Sequence, residues 1–267
     1  MPRLILCADD FALSPAISDT IAGLAAAGRI NAISCMAVMP GWRQDSAFLR
    51  SLPRSISVGL HLTLTEEAPL VSTPALAPHG RMLGIDALTA LTMQGRIPLN
   101  AVATEIRAQF ERFAEMTGRP PDFVDGHQHA HVLPGIRGLV IAATRRHAPN
   151  AWLRDCTDRL AGILARPFKG KALASAAYST GFAKAASAAG LDCNQGFAGH
   201  YGFAGNYARI FPHFLKSPGD AHLVMCHPGA GISADDTIAL ARHGEAAALW
   251  TLPIGDIAVA HGLSFAS

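Results

Sequence analysis

The sequence lacks the features that mark several protein classes. Its 22 basic and 20 acidic side chains nearly balance across 267 residues, and no basic run forms the patch typical of nucleic-acid-binding proteins. The five cysteines are scattered and include no CxxC pair, so neither a thiolate zinc site nor a disulfide scaffold is expected. The apolar runs are too short for a signal peptide or a membrane span. We therefore expect a cytoplasmic protein that has no transmembrane segment and binds no nucleic acid.

Nucleotide-binding motifs are also absent from the sequence. No GxGxxG follows the first apolar run, and no GxxxxGK[ST] occurs anywhere, which removes the main support for a dinucleotide or P-loop site. The sequence is instead rich in histidine, with 12 in the chain and three of them within five residues.

Short apolar runs alternate with helical patterns along the whole chain, which predicts one α/β domain over residues 1–267 with a parallel sheet. A barrel and an open doubly wound sheet both fit this alternation. The loop between Leu62 and Asn100 is unusually long and has the character of a lid or binding loop. The predicted strands are Leu4–Ala8, Ala32–Met39, Ser57–Leu62, Phe123–Asp125, Ala151–Arg154, His222–Cys226 and a short terminal strand. The predicted helices follow Ser14, Asn100 and Pro134 and cover Lys171–Ala189, Asn206–Lys216 and about Ala234–Leu249.

Polar residues with catalytic potential follow the predicted strands where each one ends. In parallel α/β folds the active site is built at the carboxyl ends of the strands, so we expect these side chains to lie together. They are Asp9, Asp10, His61, the cluster His127, His129 and His131, Arg154 and His227.

Two of these groups carry the strongest signal. Successive side chains of a strand point to opposite faces, so Asp9 and Asp10 can serve different partners, although either could instead order the following turn. The three clustered histidines are spaced by two and would project to one side of an extended segment. Imidazole is a common ligand of transition metals, and Asp125, on the same parity, could orient such a ligand.

The remaining candidates are ambiguous when taken singly. A lone histidine at the position of His61 is more often a hydrogen-bonded core residue than a ligand. His227 fits a general acid, a further ligand or a structural residue. Arg154 could orient a carboxylate or form a surface ion pair.

Four motifs, in order and at matching spacing, resemble the YdjC-like carbohydrate deacetylases. This family includes chitooligosaccharide deacetylases and the hopanoid-biosynthesis deacetylases, and the resemblance covers nearly the whole chain, from residue 3 to about 230. One departure is Ala12, where the family usually has glycine. The motifs are Ala8-Asp9-Asp10-Phe11, Gly59-Leu60-His61-Leu62, Asp125-Gly126-His127-Gln128-His129-Ala130-His131 and Met225-Cys226-His227-Pro228.

The resemblance implies a deformed (β/α) barrel like that of the polysaccharide deacetylases, with one divalent metal ion, Zn²⁺ or Mg²⁺. It implies that Asp10, His61 and His127 bind the metal, that Asp9 is the general base, and that His227 is the general acid. The expected reaction removes an acetyl group from an N-acetylated amino sugar in an oligosaccharide or glycolipid.

Several alternatives stay open at this stage. The site could belong to another metal-dependent amide or phosphoester hydrolase, or to a non-catalytic sugar-binding protein. Trp42 and Trp152 are candidate sugar-stacking residues, and the 63–99 loop is a candidate for hydroxyl recognition. The sequence leaves the oligomeric state open, a homodimer included.

Overall fold

A single parallel sheet forms the centre of the molecule. The structure is a computed structural model and describes residues 1–231 and 236–266. In chain order its strands are β1 (Arg3–Phe11), β2 (Ala32–Cys35), β3 (Ser57–Leu62), β4 (Phe123–Gly126), β5 (Trp152–Leu153), β6 (Phe197–Ala198) and β7 (Ala221–Cys226). Their spatial order is β5-β4-β3-β2-β1-β7-β6, and every neighbouring pair is parallel. The first strand of the chain is therefore an interior strand of the sheet, paired on both sides with β2 and β7.

The two edges of the sheet approach each other. Leu153 of edge strand β5 forms a bridge with Cys193, which lies just before the opposite edge strand, β6. The sheet is thus curled into a half-barrel rather than open, which confirms the predicted deformed (β/α) barrel.

Helices surround the curled sheet and follow most of the strands. Among the described residues, none of them combines the length and apolar character needed to cross a bilayer. They are α1 (Pro15–Ala26), α2 (Trp42–Asp45), α3 (Ile85–Met93), α4 (Leu99–Thr117), α5 (Ile136–His147), α6 (Leu160–Ala165), α7 (Lys169–Ser179), α8 (Phe182–Ala188), α9 (Tyr207–Phe214), α10 (Ala239–Thr251) and α11 (Ile254–Ala260), with 3₁₀ turns at Phe48–Ser51 and His127–Val132.

Local sequence signals account for the two best-predicted helices. The Ser14 side chain accepts a hydrogen bond from the backbone of Ile17 and caps α1, with Pro15 at its first position, as its sequence predicts. Helix α4 buries an apolar stripe and ends at Gly118, whose φ of 74° is the left-handed conformation of a helix C-terminus.

Three predicted elements differ from the structure. The single helix predicted over Lys171–Ala189 is broken into α7 and α8 at Gly181, whose φ is 81°, since glycine adopts this conformation without steric cost. The predicted long loop contains helix α3. Pro98 rather than Asn100 precedes α4.

The end of the chain also differs from its prediction. Residues 234–235, the start of the last predicted helix, lie outside the described residues, and α10 is described from Ala239. The predicted terminal strand is reduced to one bridge between Ser264 and Arg3.

Candidate active site

Six of the eight residues singled out at the strand ends line one cavity of about 840 Å³; the other two, His131 and Arg154, are buried behind it. This volume suits a small-molecule substrate. Strand β1 contributes Asp9 and Asp10, β3 contributes His61, and His127 and His227 directly follow β4 and β7. The parallel arrangement brings these five side chains to the same edge of the sheet, as predicted.

Asp10, His61 and His127 form a compact group of potential metal ligands. One ligand atom from each lies within 4.8 Å of the others. Asp10 Oδ1 is 3.0 Å from His127 Nδ1 and 3.4 Å from His61 Nε2. Two imidazoles and one carboxylate are a donor set suited to a divalent transition metal.

His61 is oriented by groups on the side away from Asp10. Its Nδ1 lies 2.7 Å from Asp125 Oδ1, and the Ser34 hydroxyl donates to the same oxygen at 2.5 Å. Burial lowers the pKa of His61, but Asp125 and Asp10 outweigh it and raise the pKa to about 10. Asp125 thus fixes the ring so that Nε2 faces Asp10, the arrangement common around metal-bound histidines.

Arg154 is fully buried and ties the site together. Its guanidinium donates to both carboxylate oxygens of Asp9, at 2.6 and 2.7 Å, and forms an ion pair with Asp125 Oδ2 at 2.5 Å. The surface ion pair considered for Arg154 is therefore wrong. Cys7, Asp9 and Asp125 also place potential ligand atoms close together, but the guanidinium already supplies the positive charge there.

Asp10 divides its two oxygens between different partners. Oδ1 faces the imidazoles, while Arg242 of α10 donates to Oδ2 at 2.8 Å. Burial raises the pKa of Asp10, yet Arg242 and His127 lower it more, and the pKa lies well below its usual range. Asp10 is therefore ionised at neutral pH, with Oδ1 directed toward His61 and His127.

His227 also approaches Asp9, and its Nε2 lies 3.9 Å from Asp9 Oδ2. Its backbone N–H donates to Glu245 at 2.5 Å, and the Tyr201 hydroxyl donates to the other oxygen of Glu245. Burial lowers the pKa of His227 to about 4, with Asp10 and Asp9 only partly opposing it. The imidazole is therefore neutral at pH 7 in the free protein.

The three clustered histidines do not project to one side. Gln128 and His129 have φ values of 50° and 60°, so the chain turns instead of continuing as a strand. Gly126 precedes the turn because a Cβ there would lie 2.9 Å from His131 Nδ1. His127 points to Asp10, whereas buried His131 donates from Nε2 to the Arg154 carbonyl at 2.8 Å.

The expected role of the tryptophans is wrong. Trp42 is fully buried and stacks on Phe113 at 5.7 Å. Trp152 stacks on Phe123 and lines a separate cavity that also includes Arg3 and Asn194. In the active-site cavity, the aromatic lining comes from Tyr201 and Phe203 instead.

The long segment between β3 and α4 does reach the cavity. Glu66, Glu67 and Arg81 line it, and the Arg81 side chain donates to the Glu66 carbonyl. This placement agrees with the prediction of a binding segment over 63–99.

The surroundings of the Asp10 group fit a cation. Among the residues that the structure describes, three buried carboxylates, Asp9, Asp10 and Asp125, pair with two buried guanidinium groups, Arg154 and Arg242. His61 lies between two of these carboxylates, 3.4 Å from Asp10 and 2.7 Å from Asp125, which together raise its pKa against the effect of burial. A divalent ion held by Asp10, His61 and His127 would be stabilised by the same negative charge.

A protein-family model for YdjC-like proteins matches residues 3–252. The chain belongs to the YdjC-like family. The matched range includes the five site residues Asp9, Asp10, His61, His127 and His227.

Curated relatives of this YdjC-like chain carry deacetylase names. It is 36% identical over 139 residues to the carbohydrate deacetylase of Mus musculus, covering 50% of this chain and 44% of that protein. It is 33% identical over 145 residues to the chitooligosaccharide deacetylase of Proteus mirabilis, covering 54% and 56%. The matched regions thus span about half the length of these curated relatives.

The fold also resembles a solved structure over its full length. A crystal structure of a candidate cellobiose-phosphate cleavage protein from Enterococcus faecalis superposes with a TM-score of 0.74, covering 100% of this chain and 97% of that one at 18% identity. This likeness concerns the fold.

Three lining or supporting residues of the YdjC-like site were not predicted. Arg242 and Glu245 are buried charges on the inner face of α10, and their signal is the interruption of an apolar stripe at helical spacing. His200 follows β6, which has two residues and is too short to give a sequence pattern. The Nε2 of His200 is buried without a hydrogen-bond partner among the described residues.

Proposed function

We propose that this protein is a metal-dependent carbohydrate N-deacetylase that releases acetate from an N-acetylated amino sugar. The observation that carries the proposal is the group Asp10, His61 and His127 beside Asp9 in one substrate-sized cavity. The deacetylase names of the relatives from Mus musculus and Proteus mirabilis support the substrate class.

Asp10, His61 and His127 would hold the metal, which when bound lowers the pKa of water and polarises a carbonyl. The two imidazoles favour Zn²⁺, whereas Mg²⁺ prefers oxygen ligands. We do not propose His129 or His131 as ligands, because the group of ligand atoms around Asp10 comprises His61 and His127.

Asp9 is proposed as the general base. Arg154 donates to both of its oxygens, which fixes the carboxylate in direction. Asp9 takes one proton from water as the water oxygen forms a bond with the acetamide carbon.

His227 is proposed to deliver a proton to the leaving nitrogen. Because it is neutral in the free protein, it must receive this proton during the reaction rather than carry it beforehand. The 3.9 Å separation of His227 Nε2 and Asp9 Oδ2 allows transfer through one water molecule. The C–N bond then breaks, the nitrogen leaves as an amine, and the carbonyl carbon leaves in acetic acid, which loses the second water proton to become acetate.

Acetate release tests this proposal. The substrates are N-acetylglucosamine, its β-linked dimer and an N-acetylglucosaminyl lipid, each with chelator-treated protein reloaded with Zn²⁺ or Mg²⁺. We expect metal-dependent release, and a loss of about 10²–10⁴-fold in Asp9→Asn because the general base is removed. Metal binding by Asp9→Asn should remain, since Asp9 is not among the three ligands.

The exposed Asp256→Asn is the matched control and should retain full activity. If metal-loaded protein releases no acetate from any of the three substrates, the assignment is wrong. Full activity in Asp9→Asn would overturn the role of Asp9 while leaving the activity itself in place.

A further inference from the structure

Helices α6 and α7 and the turn between them expose an unusual amount of apolar surface. We define the apolar patch as five side chains within 19 residues of sequence. Their exposed fractions are 63% for Leu160, 52% for Leu164, 42% for Phe168, 45% for Leu173 and 38% for Tyr178. Leu160 and Leu164, four residues apart, share one face of α6, and the exposed apolar side chains are concentrated in this segment rather than scattered singly.

Helix α7 has its polarity reversed relative to a normal surface helix. Its buried residues are Ser175 and Ser179, whereas Leu173 and Ala177 are exposed. The Ser175 hydroxyl has no hydrogen-bond partner among the described residues. A surface helix normally turns its apolar stripe inward. The exposed apolar side chains of α7 therefore indicate that its outer face contacts another apolar surface.

The charged side chains of the segment between Asp158 and Asp192 have one sign. Residues 159–191 contain five basic side chains and no aspartate or glutamate. Arg166 is paired with Asp158, while Arg159, Lys169, Lys171 and Lys184 are exposed. The occupant of this surface must therefore be apolar in part and negatively charged.

Charge also argues against a second copy of the chain as the occupant. In a two-fold symmetric dimer the same surface faces itself, which would oppose the basic side chains of one copy to those of the other. An anionic bilayer meets both requirements, because its acyl region takes up leucine and phenylalanine side chains while lysines reach the head groups.

The apolar patch adjoins the active-site cavity. Lys171 lines that cavity and lies 5.1 Å from the ring centre of Phe203. The Phe168 ring packs beside Gly202, in the loop between His200 and Phe203. A surface bound at the apolar patch would therefore lie next to the residues that line this side of the cavity.

We propose that α6 and α7 dock the protein on an anionic lipid bilayer, with the apolar patch entering the interface. This docking is peripheral and independent of the chemistry proposed for the cavity. Lipid binding and acetate release can consequently fail separately.

Flotation of the full chain with lipid vesicles tests the proposal. The vesicles contain phosphatidylcholine alone or mixed with phosphatidylglycerol. The wild-type protein should float with the mixed vesicles, more weakly at high salt, and far less with phosphatidylcholine alone. Leu160→Ser/Leu164→Ser/Leu173→Ser should weaken binding at least roughly tenfold.

A charge variant and a matched control complete the design. Lys169→Gln/Lys184→Gln should weaken vesicle binding by roughly 25-fold, at about fivefold for each lysine near a charged membrane. Leu240→Ser/Val259→Ser replaces exposed apolar residues of α10 and α11 and should bind as the wild type does. Thermal unfolding verifies that the variants are folded. If the leucine variant is unfolded, the charge variant alone tests the proposal.

The proposal is overturned if the wild type does not float with the mixed vesicles, or if the control variant loses as much binding as the leucine variant. It is also overturned if light scattering finds a dimer that the leucine variant converts to monomer. That result would make the apolar patch an interface between copies.

Discussion

Arg154 and Arg242 hold the two adjacent aspartates in different ways. Arg154 engages both oxygens of Asp9, whereas Arg242 engages only Oδ2 of Asp10. The Asp9 carboxylate is thereby fixed by Arg154 alone, whereas Asp10 keeps its Oδ1 directed to the imidazoles. Two identical residues at neighbouring positions can thus take the different roles proposed for them.

Glu245 is the buried carboxyl whose titration should affect stability. Burial raises its pKa from 4.5 to about 7, although the hydrogen bonds from Tyr201 and His227 oppose the shift. The folded state then binds the proton more tightly than the unfolded state. The free energy of unfolding should therefore fall as pH rises from 4.5 to about 7, by about 3 kcal/mol.

Urea unfolding of wild type and Glu245→Gln at several pH values measures this contribution. The difference between the two proteins should change across that window and become constant above it. The exposed Glu111→Gln should show no such change. Parallel curves for wild type and Glu245→Gln would contradict the assignment.

At the scale of single residues, the sequence predicts the positions of Asp9, Asp10, His61, His127 and His227 at one edge of the sheet. The reason is that the carboxyl ends of parallel strands lie at the same edge of the sheet, irrespective of how the connecting loops fold. Arg242 and Glu245 were not assigned, since they reach the site from the buried face of helix α10 and not from the end of a strand.

Among the elements, the turn between β1 and α1 carries backbone strain. Ala12 is buried with a φ of 78°, a conformation that costs a residue with a Cβ about 1–2 kcal/mol. Its N–H donates to Ser18, which in turn donates to Asp45. These buried hydrogen bonds hold the strained turn in place and position Asp10.

Ala12→Gly should raise the free energy of unfolding by about 0.5–1 kcal/mol, because glycine adopts this φ freely. Ala247→Gly, at an exposed position inside α10, should instead lower it by about 1 kcal/mol. Urea unfolding of both variants checks the contrast. A loss of stability in Ala12→Gly would show that the methyl packing outweighs the strain.

The element pattern was predictable only where local chemistry dominates. Strand β3 and the capped helix α1 follow from apolar runs and capping residues. The segment after β3 appears irregular in sequence because long-range contacts order it: Glu105 accepts from the backbone of Leu70 and Val71, and Gln109 pairs with Thr63. Such buried polar contacts have no periodic signature.

For the whole molecule, metal binding should stabilise the fold. A ligand that binds only the folded state at about 100 times its Kd adds about 2.7 kcal/mol, which corresponds to roughly 5–10 °C in Tm at this size. Thermal unfolding with and without Zn²⁺ measures the shift. Asp10→Asn should lose most of this shift in Tm, because it removes the carboxylate that lies beside both imidazoles of the proposed metal site.

His213→Gln, at an exposed histidine, is the control for adventitious binding and should keep the full shift. An equal shift in Asp10→Asn and wild type would place the ion elsewhere. A missing shift in wild type would argue against metal dependence itself.

The interior position of β1 has a consequence for biosynthesis. Arg3 pairs with Ala221 and Ala8 with Cys226, so one edge of β1 stays unpaired until β7 has left the ribosome. Contacts of such high sequence separation form slowly, and an open strand edge is prone to pairing with other chains. The nascent protein should therefore depend on chaperones late in translation, and its two aspartates acquire their His227 and Arg242 partners last.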